Sequence, residues 1–182
     1  MNSFEFELIF TLDHDENPEI YMDALYLAGC DDATVSVGEI GRISLDFNIK
    51  AVNAQSAIID AYQKVLKAIP HADLTRAEPY LLNVTELAFQ FGFSKQNMRK
   101  YVRGEIASIK SYFPNPAISG KTSYWHVAEV TSWLSQNTKV KISGLRIETL
   151  MAIWGLNQAI ENCRLPDKSL MQDFEQMLKC VA

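Results

Sequence analysis

Apolar and polar residues alternate over three short stretches of the first half of the chain, and this period of two constrains the fold most strongly. The stretches are residues 4–12, 33–37 and 43–49. Side chains two positions apart lie on the same face of a strand, so each stretch is predicted to be a half-buried strand. A weaker fourth strand is predicted over 71–82.

Two helices are predicted between these strands. Asn17-Pro18 begins the first helix, and Gly29 ends it. Its predicted apolar face consists of Ile20, Ala24, Leu25 and Leu27. Asn53 is suited to cap the second, longer helix, which Pro70 ends. The resulting order, β-α-β-β-α-β, is that of a ferredoxin-like sheet, so residues 1–79 are expected to form an α+β domain of this kind.

A helix, a short turn and a second helix are predicted between Asn83 and Arg103. Thr85 or Asn83 is suited to cap the first helix, and Ser94 to cap the second. Gly92 permits the positive φ that a tight turn between helices requires. The positions expected to face inward are Leu87, Ala88, Phe91, Phe93, Met98, Tyr101 and Val102.

This spacing resembles that of helix-turn-helix regulators, and the next segment resembles small winged-helix proteins of the MerR and phage excisionase type. In those proteins a Phe-Pro-x-Pro turn leads into a wing hairpin and a short helix that ends in Trp-Leu. This chain has Phe113-Pro-Asn-Pro116, a candidate wing over 117–125 and a candidate helix over 126–134. The link over 104–112 is longer than in the family. The resemblance covers about 55 of the 182 residues, and it implies a winged DNA-binding domain over 80–144.

The resemblance also implies which residues contact DNA. Cations on the outer face of the second helix would bind phosphates, and its amides and guanidinium groups would reach base edges. The candidate residues are Thr85, Ser94, Lys95, Gln96, Asn97, Arg99, Lys100, Arg103, Lys121 and Thr122. Gly120-Lys121-Thr122 is not interpreted as a nucleotide-binding loop, because Asn115 stands where that motif needs its first glycine.

The charge distribution favours a nucleic-acid partner for the middle of the chain. The net charge of the whole protein is −5. Residues 1–79 hold 5 Lys/Arg and 14 Asp/Glu, which gives −9. Residues 80–144 hold 8 Lys/Arg and 3 Asp/Glu, which gives +5. Because a polyanion responds to local charge, the positive segment is the expected DNA-binding part.

The C-terminal segment, 145–182, is predicted to be helical and to mediate self-association. A helix over 145–163 is followed by a break at Leu165-Pro166-Asp167, where Asp167 is suited to cap a last helix. The last helix has a helical apolar stripe at Leu170, Met171, Phe174, Met177, Leu178 and Val181. The preceding helix adds Leu150, Met151, Ile153, Trp154 and Leu156. This apolar surface exceeds what a small domain needs, so a homodimer is expected.

Other functional classes find little support in the sequence. The cysteines are Cys30, Cys163 and Cys180, an odd number without metal-type spacing, and Cys30 is expected to be buried. The run Asp13-His14-Asp15-Glu16 offers metal-type ligands, but a polar loop is the simpler interpretation. No catalytic set is evident, so no enzyme activity, cofactor or metal is expected. Neither a membrane span nor a signal peptide is evident, and a cytoplasmic location is expected.

The sequence thus predicts a cytoplasmic, homodimeric protein that binds double-stranded DNA sequence-specifically and regulates transcription. One alternative is an antitoxin-like or phage adaptor whose acidic N-terminal domain binds a partner protein. The N-terminal domain is also suited to bind a small ligand. It is not expected to bind RNA, because its exposed strand face carries Ser44, Asp46 and Asn48 rather than aromatic residues.

Overall fold

The computed structural model describes residues 2–166 and 169–179 of the chain. It confirms the predicted α+β class: an antiparallel sheet is combined with helices. The predicted helix cap Asp167, together with Cys180 and Val181, lies outside the described residues. The side chains of Leu170 and Leu178 are likewise not among the described parts of the structure.

The main sheet contains β1 (Asn2–Thr11), β2 (Thr34–Glu39), β3 (Arg42–Ala51) and β4 (Asp73–Glu78). Its strand order is β2-β3-β1-β4, and every neighbouring pair is antiparallel. In the β1–β3 pair, Phe6 lies opposite Phe47 and Leu8 lies opposite Leu45. All four of these side chains are buried. The alternating pattern therefore places one continuous apolar face on the two central strands.

Two helical segments connect these strands. A 3-10 turn (Pro18–Tyr21) continues into the short helix α1 (Met22–Leu27), and the longer helix α2 (Ala54–Ala68) follows β3. Asn53 caps α2, because its Oδ1 accepts a hydrogen bond of 2.8 Å from the Ser56 backbone N–H. The face of α2 that packs on the sheet includes the fully buried residues Ala54, Ala57, Ala61 and Val65.

The apolar face predicted for the first helix is wrong at two of its four residues, while Ala24 is half-buried. Leu25 is buried, but Ile20 and Leu27 remain 66% and 80% exposed. The predicted face assumed one regular helix beginning at Asn17-Pro18. A 3-10 turn changes the angle between successive side chains, so Ile20 does not share a face with the residues of α1. Leu27 lies within α1 but two positions after Leu25, so it projects from the opposite side of that helix.

The fourth predicted strand, 71–82, is also wrong in extent, because the chain divides there into two strands. β4 ends at Glu78, and β5 (Leu81–Asn83) leaves the main sheet to pair with β6 (Tyr124–His126). Pro79 separates the two strands. Since proline has no backbone N–H to donate to a ladder, it ends β4 at this point.

The second half of the chain is mainly helical around the small β5–β6 sheet. It contains α3 (Val84–Gln90), α4 (Lys95–Val102), α5 (Val127–Asn137), α6 (Gly144–Arg164) and α7 (Ser169–Lys179). The buried apolar residues of both halves form one connected core, from Phe4 in β1 to Ile153 in α6.

Helix α6 connects the two halves of the chain. It packs against β1, β4, α2 and α5 of the same chain. Leu150 and Ile153 are buried, and the Trp154 ring stacks on His126 with centroids 4.8 Å apart. Met151 remains 47% exposed. Most of the apolar surface of α6 is therefore used within one chain and is not available to a second copy.

Asn157 of α6 forms hydrogen bonds with backbone groups at the outer edge of the main sheet. Its Oδ1 accepts a hydrogen bond of 3.0 Å from the Ala77 N–H, and its Nδ2 donates one of 2.8 Å to the Ala77 carbonyl oxygen. Nδ2 also donates to the Ile153 carbonyl oxygen at 3.0 Å. Since β4 is an edge strand, these backbone groups have no strand partner, and the buried amide replaces one.

Two further features bear on the sequence predictions. Cys30 is buried as expected, and burial raises the pKa of its thiol. Among the described residues, no helix has both the length and the apolar character needed to cross a membrane.

Replacing Asn157 tests the importance of this edge. Asn157→Ala leaves both backbone groups of Ala77 without their partners, so we expect the free energy of unfolding to fall by about 2–4 kcal/mol. Gln63→Ala removes a comparable amide from an exposed position on α2 and should change it by less than about 0.5 kcal/mol. Urea unfolding of both variants provides the comparison. If both substitutions changed the free energy of unfolding by the same small amount, the hydrogen bonds of Asn157 would not stabilise the edge of the sheet.

Two glycines provide a matched test of backbone conformation. Gly92 has φ of 69°, whereas Gly155 lies inside α6, and a Cβ at either position would contact nothing within 4 Å. Gly92→Ala should therefore lower the free energy of unfolding by about 1–2 kcal/mol through its left-handed backbone. Gly155→Ala should raise it by about 0.5–1 kcal/mol through helix propensity. Thermal unfolding measures the stability of both variants. Changes of the same sign would contradict the left-handed backbone at Gly92 or the helical backbone at Gly155.

Candidate nucleic-acid interface

The turn between α3 and α4 holds the two helices in a fixed relation. The Phe91 N–H donates to the Leu87 carbonyl oxygen at 3.1 Å, and the Phe93 N–H donates to that of Ala88 at 2.8 Å. Gly92 adopts the positive φ predicted for this position. These bonds satisfy the last carbonyl groups of α3 within the turn, so α4 begins immediately after it.

Side-chain caps begin both helices. For α3 the cap is Asn83 and not Thr85, because Asn83 Oδ1 accepts from the backbone N–H groups of Thr85 and Glu86 at 2.8 and 3.2 Å. Glu86 returns the interaction by accepting from the Asn83 N–H at 2.8 Å. Ser94 caps α4, accepting from the Asn97 N–H at 3.1 Å. Of the candidate DNA-binding residues, Ser94 is the predicted cap of α4, and Thr85 lies exposed in the first turn of α3.

Helix α4 has a buried face and a polar face. Met98 is fully buried, and the Tyr101 ring lies 5.4 Å from that of Phe93 and 5.8 Å from that of Trp133. Asn97 is partly buried. The exposed candidate residues on and next to this helix are Lys95, Gln96, Arg99, Lys100 and Arg103. We call these five residues the α4 face.

The α4 face carries four positive charges, and most of them are unpaired. Arg103 approaches Glu105 at 3.6 Å, and both side chains are largely exposed. Within the described part of the chain, no carboxylate forms an ion pair with Lys95, Arg99 or Lys100. Because no described carboxylate neutralises these three charges, they are available to an anionic partner.

Lys121 and Thr122 lie in an exposed turn between paired segments. Backbone hydrogen bonds of 3.2 and 3.0 Å join Ile118 and Tyr124 on either side of this turn. Tyr124 in turn lies opposite Asn83 in the β5–β6 pair. Since Asn83 caps α3, the base of the turn is attached directly to the start of the two-helix unit.

An aromatic cluster, which sequence reasoning did not identify, packs behind α4. Phe113 lies between two tryptophans, with its ring 6.2 Å from Trp125 and 5.0 Å from Trp133. Trp125 Nε1 donates to the Pro114 carbonyl oxygen at 3.0 Å, and Trp133 Nε1 donates to Ser111 Oγ at 3.2 Å. The bond to Ser111 anchors the end of the long link before Phe113, and the bond to Pro114 anchors the segment after it. The Phe-Pro-Asn-Pro motif and the aromatic residues near it were the available signals in the sequence.

A second contact missed by sequence reasoning joins this unit to α6. The ring of His126 lies between Tyr80, at 5.1 Å, and Trp154, at 4.8 Å. The hydroxyl group of Tyr80 accepts from Gln158 Nε2 at 3.0 Å and lies 3.3 Å from the carboxylate of Glu161. These residues are separated by up to 81 positions, so no local pattern indicated their contact.

The other face of the main sheet is acidic. Glu7 lies opposite Asp46 on β3 and opposite Glu78 on β4, so three carboxylates form one row across the sheet. Burial raises the pKa of Asp46, and the negative charge of Glu7 adds to this effect. Burial also raises the pKa of Glu78, although the Tyr80 N–H and Arg76 oppose it.

A cleft of about 740 Å³ lies between this sheet and the beginning of α6. The charged residues that line it are Glu5, Glu7, Asp32, Asp46, Glu78 and Arg146. The acidic part of the molecule and the α4 face are therefore distinct surfaces with opposite charge.

Comparisons with known protein families, curated protein sequences and solved structures found no match for this chain. The basis for a functional interpretation is therefore the chain's own geometry and charge.

Proposed function

We propose that residues 80–144 form a winged helix-turn-helix that binds double-stranded DNA sequence-specifically, and that the protein regulates transcription. The α4 face carries the proposal: an exposed helix surface with cations and an amide on a rigidly packed support. A helix of this kind fits the major groove, where cations bind phosphates while amides and guanidinium groups read bases. The exposed turn with Lys121 and Thr122 is the proposed wing.

The N-terminal half is proposed to be a ferredoxin-like domain. Its element order and its strand order, β2-β3-β1-β4, support a ferredoxin-like arrangement. Its acidic surface would keep this half away from the DNA backbone. That repulsion leaves the α4 face as the surface on which DNA approaches.

Two copies of the chain would bind paired half-sites, because one recognition helix reads only a few base pairs. Since α6 is used within the chain, α7 is the proposed contact between copies. Phe174 and Met177 of α7 are 61% and 55% exposed. Deletion of residues 169–182 tests this contact and leaves in place α6, whose Leu150 and Ile153 belong to the core.

The second candidate function is an adaptor whose acidic N-terminal half holds a partner protein. Glu7 and Asp46, which lie opposite each other, support it, because a basic partner would meet their negative charge. Glu78, the third member of the row, is already paired with Arg76 at 2.7 Å. Two results together would favour this function over DNA binding. The protein would show no affinity for DNA, and it would form a stoichiometric complex with a protein encoded nearby. That complex would persist when the cations of the α4 face are replaced.

DNA binding should weaken steeply with salt. Each neutralised phosphate contributes about −0.9 to the slope of log K against log salt, so two subunits using the α4 face and Lys121 should give roughly −4 to −8. Fluorescence anisotropy over a range of salt concentrations measures this slope. Lys121→Ala should reduce its magnitude, whereas Lys67→Ala, an exposed change on α2, should not. A slope near zero would remove the electrostatic basis of the proposal.

Substitutions on α4 should separate specificity from general affinity. Gln96→Ala should cost about 1–3 kcal/mol on the preferred site and relax the base preference at one or two positions. Arg99→Ala should act similarly if Arg99 pairs with guanine. Lys100→Ala should weaken all sequences about equally and reduce the salt slope by about one unit. Asn97→Ala requires a folding control because Asn97 is partly buried.

Selection from a random DNA pool identifies the preferred site, and each variant is then compared on this site and on scrambled DNA. Lys67→Ala is the charge-matched control. If Gln96→Ala, Asn97→Ala and Arg99→Ala all bind both DNAs as the parent does, α4 is not a recognition helix.

A further inference from the structure

Three metal-type ligands meet at the end of the main sheet, two from one loop and one from a loop more than 50 positions away along the chain. Asp13 and Glu16 belong to the loop after β1, and His71 belongs to the loop between α2 and β4. One ligand atom from each of the three lies within 4.8 Å of the other two. His71 Nε2 is 2.9 Å from Glu16 Oε2. The sequence run Asp13-His14-Asp15-Glu16 therefore contributes two residues to the cluster, and its own histidine is not one of them.

The backbone brings these ligands together. The Leu12 N–H donates to the Gly41 carbonyl oxygen, and the Gly41 N–H donates to that of Glu16, both at 2.8 Å. Gly41 has φ of 73°, and a Cβ there would lie 3.1 Å from the Asp13 carbonyl oxygen. Because glycine allows this close approach, the loop that carries Asp13 and Glu16 is held against the β2–β3 turn. The Tyr21 hydroxyl donates to Glu16 and orients its carboxylate.

An ion pair between Glu16 and His71 does not account for the whole cluster. It leaves Asp13, a second carboxylate, close to Glu16, and like charges at this separation are unfavourable. Among the described residues, no Lys or Arg forms an ion pair with either carboxylate. A divalent cation would offset this repulsion and would use the imidazole nitrogen as well.

We propose that Asp13, Glu16 and His71 bind one divalent transition-metal ion, with zinc as the representative ion. Zinc accepts imidazole nitrogen and carboxylate oxygen at about 2.0–2.2 Å, which places two ligand atoms of a tetrahedral site about 3.4 Å apart. The 2.9 Å between His71 Nε2 and Glu16 Oε2 is a hydrogen-bond distance, so these two atoms move slightly apart when a zinc ion takes the place of the shared proton. Asp13 is exposed, so its side chain is free to rotate toward the ion.

The ligand set selects among cations. One imidazole with two carboxylates suits zinc and other late transition metals, whereas magnesium and calcium prefer oxygen ligands alone. Three protein ligands leave at least one coordination position for water or for a group of another molecule. The site does not depend on the proposed DNA-binding function, since none of its ligands lies within residues 80–144.

The test is titration of the full-length, untagged protein with zinc chloride, using calorimetry in the presence of a competing chelator. Cys163 is exposed and Cys180 is a further thiol, so the parent protein carries Cys163→Ser and Cys180→Ser to remove sulfur ligands. One zinc ion per chain is expected to bind and to raise the melting temperature, and EDTA is expected to reverse both effects. Calcium and magnesium should bind at least tenfold more weakly.

The variants identify the ligands. His71→Gln and Asp13→Asn should each lower zinc affinity at least tenfold. The matched control is His14→Gln, because His14 lies in the same loop, its side chain is 96% exposed, and it stands outside the cluster. This control should retain affinity within about twofold. Asp13→Asn replaces an exposed residue, so it remains informative if His71→Gln unfolds the protein.

The proposal is overturned if the parent shows no saturable zinc binding. It is also overturned if folded Asp13→Asn and His71→Gln proteins bind zinc as the parent does, or if His14→Gln abolishes binding. Calcium binding as tight as zinc binding would show that the imidazole is not a ligand. Because DNA binding is measured separately on the α4 variants, its absence would leave these outcomes unchanged.

Discussion

The hydrogen bonds between Asn157 and Ala77 are the interaction on which the arrangement of the whole chain depends. An edge strand presents unpaired N–H and C=O groups that otherwise pair with water or with another chain. Here a side-chain amide from a helix 80 positions away satisfies both groups of one residue. Leu150 and Ile153 of the same helix enter the core beside it. Helix α6 thus covers the edge of the sheet at Ala77 and also packs against the second half of the molecule.

Additional contacts fix α6 near both of its ends. Glu148 accepts from the Ala54 backbone N–H at 2.8 Å, at the start of α2. Arg164 donates to Asp73 at 2.9 Å, at the start of β4. Between them, Trp154 contacts His126 at the start of α5. The proposed recognition unit is therefore attached to a helix that spans the N-terminal sheet, and the two halves share one core.

The charge distribution separates two kinds of partner. Exposed charges are screened beyond about 8 Å at physiological ionic strength, so each surface acts mainly on what touches it. The α4 face favours polyanions, whereas the row of Glu7, Asp46 and Glu78 favours cationic groups. The proposed metal site uses a third surface, at the end of the sheet. Asp73, which pairs with Arg164, follows His71 by two positions, so the C-terminal end of α6 lies close to that site. Closeness alone does not couple the two sites. For metal binding to change DNA binding, α6 or α5 would have to adopt a second conformation.

Local patterns in the sequence determined several elements directly. The alternation in β1 and β3, the Asn53 and Ser94 caps and the positive φ of Gly92 each depend on residues within a few positions, so they were predictable. Tertiary structure decided the rest. Pro79 ended β4, but only the partner strand β6 determined where Leu81–Asn83 would pair. The apolar residues of α6 indicated burial without indicating whether the partner was another chain or this one. His71 reached Glu16, and Asn157 reached Ala77, because the fold closes distances of 55 and 80 positions. Periodicity reports which side of an element is buried, and only packing decides what lies against it.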